Sequence, residues 1–236
     1  MKKIMLLFSL ILASAPAFAK CSSSGIYFWP SGTTVQENTI FSIEGYMNSQ
    51  SLITKLGKNY DVYLKSATDK IALHVQEICA GQLSITQAIL KPERNLIAGQ
   101  EYTIVISNKD LREQETEDIA SYTKSWTVAE GKDDILPAWK SKPVFKKNDF
   151  EMYGCGPAAS SIFSFSASES SAFLVRTTVK NVETGTESVY YLNPYENQIS
   201  IGHGMCSGAF VIEGGGKYEV EFSLLDASGN VTAWVA

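Results

Sequence analysis

Tyr218-Glu219-Val220-Glu221-Phe222-Ser223-Leu224-Leu225-Asp226-Ala227-Ser228-Gly229-Asn230-Val231-Thr232-Ala233-Trp234 decides the fold class. Tyr218, Val220, Phe222 and Leu224 fall on one face of an extended chain, and Glu219, Glu221 and Ser223 fall on the other. That period of two marks a half-buried strand. The Asp-Ala-Ser-Gly-Asn stretch then supplies residues that tolerate positive φ, and a further short strand follows, so the segment reads as a terminal β-hairpin.

Outward from this hairpin the same alternation recurs. Ile71, Leu73 and Val75 alternate with Ala72, His74 and Gln76; Tyr102, Ile104 and Ile106 alternate with Thr103, Val105 and Ser107. A second hairpin is expected to turn at Glu183-Thr184-Gly185-Thr186, between strands over 173–177 and 188–192. The best helical candidate, 110–122, is Glu-rich but has no apolar stripe, so it reads as a polar loop. The class is all-β with antiparallel sheets.

Glu130-Gly131-Lys132-Asp133-Asp134, followed by Ile135-Leu136-Pro137 and a basic stretch to Pro143, divides the strands into two groups. The expected organisation is residues 20–130, a linker over 131–142, and residues 143–236. Each group has the length and strand number of an immunoglobulin-like sandwich. Ahead of them, Lys2 and Lys3, the nine-residue apolar run 4–12 and Ala17-Phe18-Ala19 read as a cleaved signal peptide over 1–19. A bilayer span needs about 20 apolar residues, so the run is no anchor. Lys20 before Cys21 does not suit lipid attachment, and 231–236 reads as a final strand.

In the first group, the run 32–40 leads into a strand. Leu90-Lys91-Pro92-Glu93-Arg94-Asn95-Leu96-Ile97-Ala98-Gly99-Gln100-Glu101-Tyr102-Thr103 leads into another, and Ser125-Trp126-Thr127-Val128 closes the unit. These stretches resemble the bacterial Ig-like domains of envelope proteins, with their L-x-P-x-x-x-L-x-x-G-x-x-Y-T segment. Pro92 ends a strand because it cannot donate to a sheet, and Gly99 allows a tight turn. Tyr102 suits a corner position with its hydroxyl bonded to nearby backbone. The second group is similar in outline to fibronectin-III sandwiches. The resemblance implies two tandem antiparallel β-sandwich domains of an exported envelope protein.

Composition narrows the function classes. Loss of Lys2 and Lys3 with the signal takes the formal charge from −5 to −7, which opposes nucleic-acid phosphates and anionic lipid. Four cysteines in an exported chain point to disulfides, and the domain division pairs Cys21 with Cys79 and Cys155 with Cys206. No Cys-x-x-Cys redox pair is present. His203-Gly204-Met205-Cys206 holds soft metal ligands, but the only other histidine, His74, lies in the other half on a solvent-facing phase. Glycines around it lack the Gly-Lys-Ser/Thr ending of a phosphate cradle, and no serine stands in Gly-x-Ser-x-Gly. Catalytic residues, metal ligands and cofactors are therefore expected to be absent.

Two surfaces remain as candidates. Tyr190, Tyr191 and Tyr195 with Asn193 and Asn197 resemble a sugar-stacking set, although adjacent strand tyrosines face opposite ways. Glu130, Asp133 and Asp134 could offer hard oxygen ligands to calcium at the junction. The polar excursion 110–123 and the segment 190–197 are the expected contact regions. The expectation is a soluble periplasmic or secreted binding or scaffolding protein. Its partner would be a protein, or alternatively a glycan, outside the cytoplasm, with no membrane insertion.

Overall fold

The computed structural model describes Cys21, residues 24–109 and residues 122–234. The expected signal sequence and residues 110–121 of the polar excursion lie outside them. The chain is almost entirely β, as its alternation implies. In the first half the strands are β1 (Ser24–Trp29), β2 (Thr34–Val35), β3 (Phe41–Met47), β4 (Tyr60–Lys65), β5 (Lys70–Ala80), β6 (Ile85–Pro92), β7 (Glu101–Asn108) and β8 (Ser125–Val128). One turn of helix, α1 (Gln50–Ile53), follows β3. The second half holds β9 (Ala138–Tyr153), β10 (Gly156–Ser168), β11 (Phe173–Asn181), β12 (Glu187–Leu192), β13 (Gln198–His203), β14 (Tyr218–Asp226) and β15 (Val231–Ala233).

The first eight strands join in the order β1-β3-β6-β5-β4-β7-β8-β2. β5 makes the turn between the two faces of this sheet. Its first residues, Lys70 to Ala72, pair with β4, and Leu73 onward pairs with β6 across a bulge at Val75–Glu77. The apolar phase read from sequence faces inward: Phe41, Ile43, Ile71, Leu90, Ile104 and Trp126 form one buried cluster. Pro92 ends β6, and Gly99 turns the chain at φ 76° before β7. Tyr102 is buried at the start of β7, and its hydroxyl donates to Asp69 Oδ2 at 2.7 Å.

The second half forms a three-stranded sheet, β13-β10-β9, and a four-stranded sheet, β12-β11-β14-β15. Both expected hairpins form. Gly185 (φ 71°) turns β11 into β12, and Gly229 (φ 86°) turns β14 into β15. Ile199, Ile201, Phe210, Phe222 and Leu224 lie at the heart of its cluster. That cluster also takes in Trp29, Ile40, Cys79 and Ile89 from the first half. The two halves therefore share one apolar seam, with each fully buried aliphatic side chain contributing about 1.5–3 kcal/mol.

The boundary between the halves differs from the sequence reading. β9 begins at Ala138, inside the expected 131–142 linker, because an edge strand exposed along most of its length carries no apolar alternation. The residues before it are also fastened. Asn38 and Asp133 exchange two hydrogen bonds, 2.8 and 3.1 Å, and Asn230 Nδ2 donates to the Asp133 carbonyl at 3.0 Å.

Candidate functional site

Tyr190 and Tyr191 do face opposite sides of β12: Tyr190 pairs with Thr177 and Tyr191 with Arg176. Both are nevertheless buried, at 2% and 8% exposure. The first half covers the face that a lone sandwich would leave wet. The Tyr190 hydroxyl donates to Glu44 Oε2 at 2.8 Å and the Tyr191 hydroxyl to Glu77 Oε2 at 2.6 Å. Gln87 clips the Tyr191 backbone on both sides, accepting from its N–H and donating to its carbonyl.

Burial raises the Glu44 pKa against the lowering effect of the Tyr190 hydrogen bond. Burial, reinforced by Glu44 and Glu77 respectively, drives both phenols upward. Asn193, Tyr195 and Asn197 remain exposed at the turn into β13. The expected five-residue sugar surface is thus split, and its two buried tyrosines seal the seam between the halves.

The junction carboxylates regroup as well. Asp133 meets Glu169 and Asp226, with ligand oxygens within 4.8 Å of one another; Glu130 and Asp134 are not in that group. Asp226 is fully buried and accepts from the backbone N–H groups of Ser228 and Asn230 and from Asn230 Nδ2. It organises the β14–β15 turn.

The cysteine pairing is corrected too: the disulfide joins Cys21 to Cys206 across the halves. Cys79 lies on β5, three strands from β1 in the sheet order. Neighbouring strands lie about 4.8 Å apart, whereas bridged Cα atoms lie within about 6.8 Å. The start of β1, by contrast, is led toward Cys206. Ser24 pairs with Met47, Met47 N–H bonds the Ser84 carbonyl, and Leu83 bridges Gly208. Cys79 keeps a buried thiol. Cys155 brings a third sulfur, and the Sγ atoms of Cys21, Cys155 and Cys206 lie within 4.8 Å of one another. His203 stands outside that group, with Nδ1 against the Gly204 carbonyl at 2.8 Å. His74 is exposed on β5.

A surface missed in the sequence is β9. It is sixteen residues long and, among the described residues, the outer strand of its sheet, with a ladder to β10 on one side. Its first part is guarded by Pro143, by Lys140, Lys142 and Lys146, and by several register irregularities against β10. Such features blunt an edge against pairing. From Lys147 to Tyr153 the ladder to β10 is regular. There Phe150 and Met152 stand on one face, 65% and 69% exposed. Beside them opens a cleft of about 510 Å³, lined by Phe145, Phe150, Phe163, Ile212, Tyr218 and Val220 among others. Two apolar residues at alternate positions were a weak signal, masked by the lysines and acids around them.

No family model and no curated protein matches the chain. Solved structures give only loose likenesses. Pullulanase type I from Bacillus subtilis, complexed with maltose, is 9% identical at a TM-score of 0.27, with 83% of this chain and 23% of that chain covered. A pullulanase from Anoxybacillus sp. complexed with maltotriose is 8% identical at 0.26, covering 82% and 24%. The chain spans less than a quarter of these enzymes. Superpositions this loose leave its fold family and activity to be argued from its own residues. Among the described residues no helix is long and apolar enough to cross a membrane.

Proposed function

We propose that the chain is an exported, non-catalytic binding or scaffolding protein of the bacterial envelope, periplasmic or secreted after signal cleavage. Its two halves act as tandem Ig-like sandwiches that make protein–protein contacts. The carrying observation is the regular outer edge of β9 over 147–153 beside the apolar cleft. An extended partner segment adds to such an edge as a further strand: main-chain hydrogen bonds supply affinity, and a neighbouring pocket selects alternate side chains. Exposed apolar residues on an outer strand are otherwise an aggregation hazard. Their position next to a cleft supports a binding role. The chemistry favours a partner strand with apolar residues at every second position.

The test is selection of a random peptide library on the full chain, repeated on a Phe150→Lys/Met152→Lys variant. The expected result is enrichment of extended, alternately apolar peptides that bind the parent and lose at least tenfold in affinity on the variant. Peptides that bind both proteins equally would contradict the reading. So would an empty selection accompanied by a positive glycan array, which would favour a carbohydrate-recognition module instead.

A further inference from the structure

Three sulfurs meet where three separate segments converge. Cys21 leads into β1. Cys155 sits with Gly154 in the two-residue turn of the β9–β10 hairpin, between the paired Tyr153 and Gly156. Cys206 lies in the four-residue turn closed by the His203–Gly208 bridge, in which Gly204 N–H bonds the Ser207 carbonyl. The last two turns touch: a Cβ built on Gly156 would lie 3.7 Å from the Met205 carbonyl oxygen. A structural disulfide needs two cysteines. Here a third sulfur lies within 4.8 Å of both bonded sulfurs and is only partly buried.

We propose that Cys21, Cys155 and Cys206 form an intramolecular thiol–disulfide exchange site. Cys155 loses its proton to water, and its thiolate attacks Cys206 Sγ. The Cys155–Cys206 bond forms as the Cys21–Cys206 bond breaks, and Cys21 leaves as a thiolate that takes up a proton. One disulfide and one thiol stand on each side, so no external oxidant or reductant enters. Attack at Cys206 joins two turns that are already in contact and releases Cys21. Cys79 cannot serve instead. It is buried, and burial together with nearby Glu77 pushes its thiol up to about 12. Exchange through thiolate there is suppressed.

The two states differ mechanically. With Cys21–Cys206 bonded, Cys21 is clamped to the second half. With Cys155–Cys206 bonded, the tip is fastened and Cys21 presents a thiol. The exchange stands on the sulfur geometry and not on the binding role of β9.

Each of the four cysteines falls in its own tryptic peptide. The full chain, isolated from an oxidising compartment, is incubated without added redox reagents at rising pH, quenched in acid, alkylated and mapped without reduction. The expected result is conversion of Cys21–Cys206 to Cys155–Cys206, with label moving from Cys155 to Cys21 and the thiol total constant. The rate should be independent of protein concentration and rise with pH. Cys155→Ser should hold Cys21–Cys206 fixed, and Cys21→Ser should be isolated with Cys155–Cys206 bonded. The proposal is overturned if label stays on Cys155 at every pH, or if Cys21→Ser is isolated with Cys155 and Cys206 both as thiols.

Discussion

Tyr190 and Tyr191 show how a pair that sequence splits between core and surface comes to lie wholly in a seam. Alternation along 188–192 was legible and correct, because β12 does place Tyr190 and Tyr191 on opposite faces. What covers the outer face was not legible, since Glu44 and Glu77 lie more than a hundred residues away. Tyr190→Phe would leave the Glu44 carboxyl without its donor. It should lower stability by about 1–3 kcal/mol, read as a shift in urea midpoint at unchanged slope. Glu44 also gives the chain a pH signature. Its pKa is raised above its ordinary 4.5, so the folded state keeps a proton that the unfolded chain loses. Its contribution to stability is therefore greatest on the acid side and declines as pH rises through the raised value. Asp69 acts oppositely: Arg94 and then Tyr102 hold it below 3.8, so its contribution is present above that pH and lost as pH falls through the lowered value. Glu44→Gln should flatten the first slope in urea titrations between pH 4.5 and 7 and leave the second intact; an unchanged slope would remove Glu44 as its source.

Among the elements, those with one wet face were the readable ones. β5, β7, β14 and both hairpins carry a period of two that survives as burial, and Pro92 and Gly99 punctuate β6 and β7 as their backbone limits demand. β9 is unreadable for the complementary reason: exposed on nearly every residue, it has no apolar phase that sets its start apart from a linker. The turn after β13 is held by close backbone approach. A Cβ on Gly208 would fall 2.3 Å from the His203 Cα, and Gly208 exchanges backbone hydrogen bonds with Leu83 of the first half. Gly208→Ala should therefore cost at least the roughly 1–3 kcal/mol typical of overpacking. Thermal unfolding would show it; a melting temperature equal to that of the parent would mean that the turn yields freely.

At the scale of the molecule, the polar, Pro- and Gly-containing stretch 130–143 divides the strands into two groups but carries no sign of how the halves share a seam. Their common cluster depends on Trp29, Ile40, Cys79 and Ile89 meeting the second half. That meeting redirects Cys21 toward Cys206, a pairing that no division of the chain into separate modules would give. The bond closes a loop of 185 residues, worth roughly 5 kcal/mol in the chain-entropy model. If Cys155 takes the place of Cys21, the shorter loop restores roughly 4 kcal/mol of that. Cys21→Ser should thus lose only about 1 kcal/mol, and Cys21→Ser/Cys155→Ser roughly 5, by urea unfolding under non-reducing conditions. Equal losses in the two variants would show that Cys155 does not substitute.

Whether the outer edge of β9 receives a partner strand is read from its own backbone amides. Hydrogen exchange resolved by residue, on the full chain with and without a selected peptide, addresses it most directly. The alternate amides of 147–153 pointing away from β10 should exchange rapidly in the free chain and slow at least tenfold on binding. The cleft-lining segment around Tyr218 should slow with them. Saturating peptide that protects amides elsewhere while those of β9 keep their free rates would contradict it.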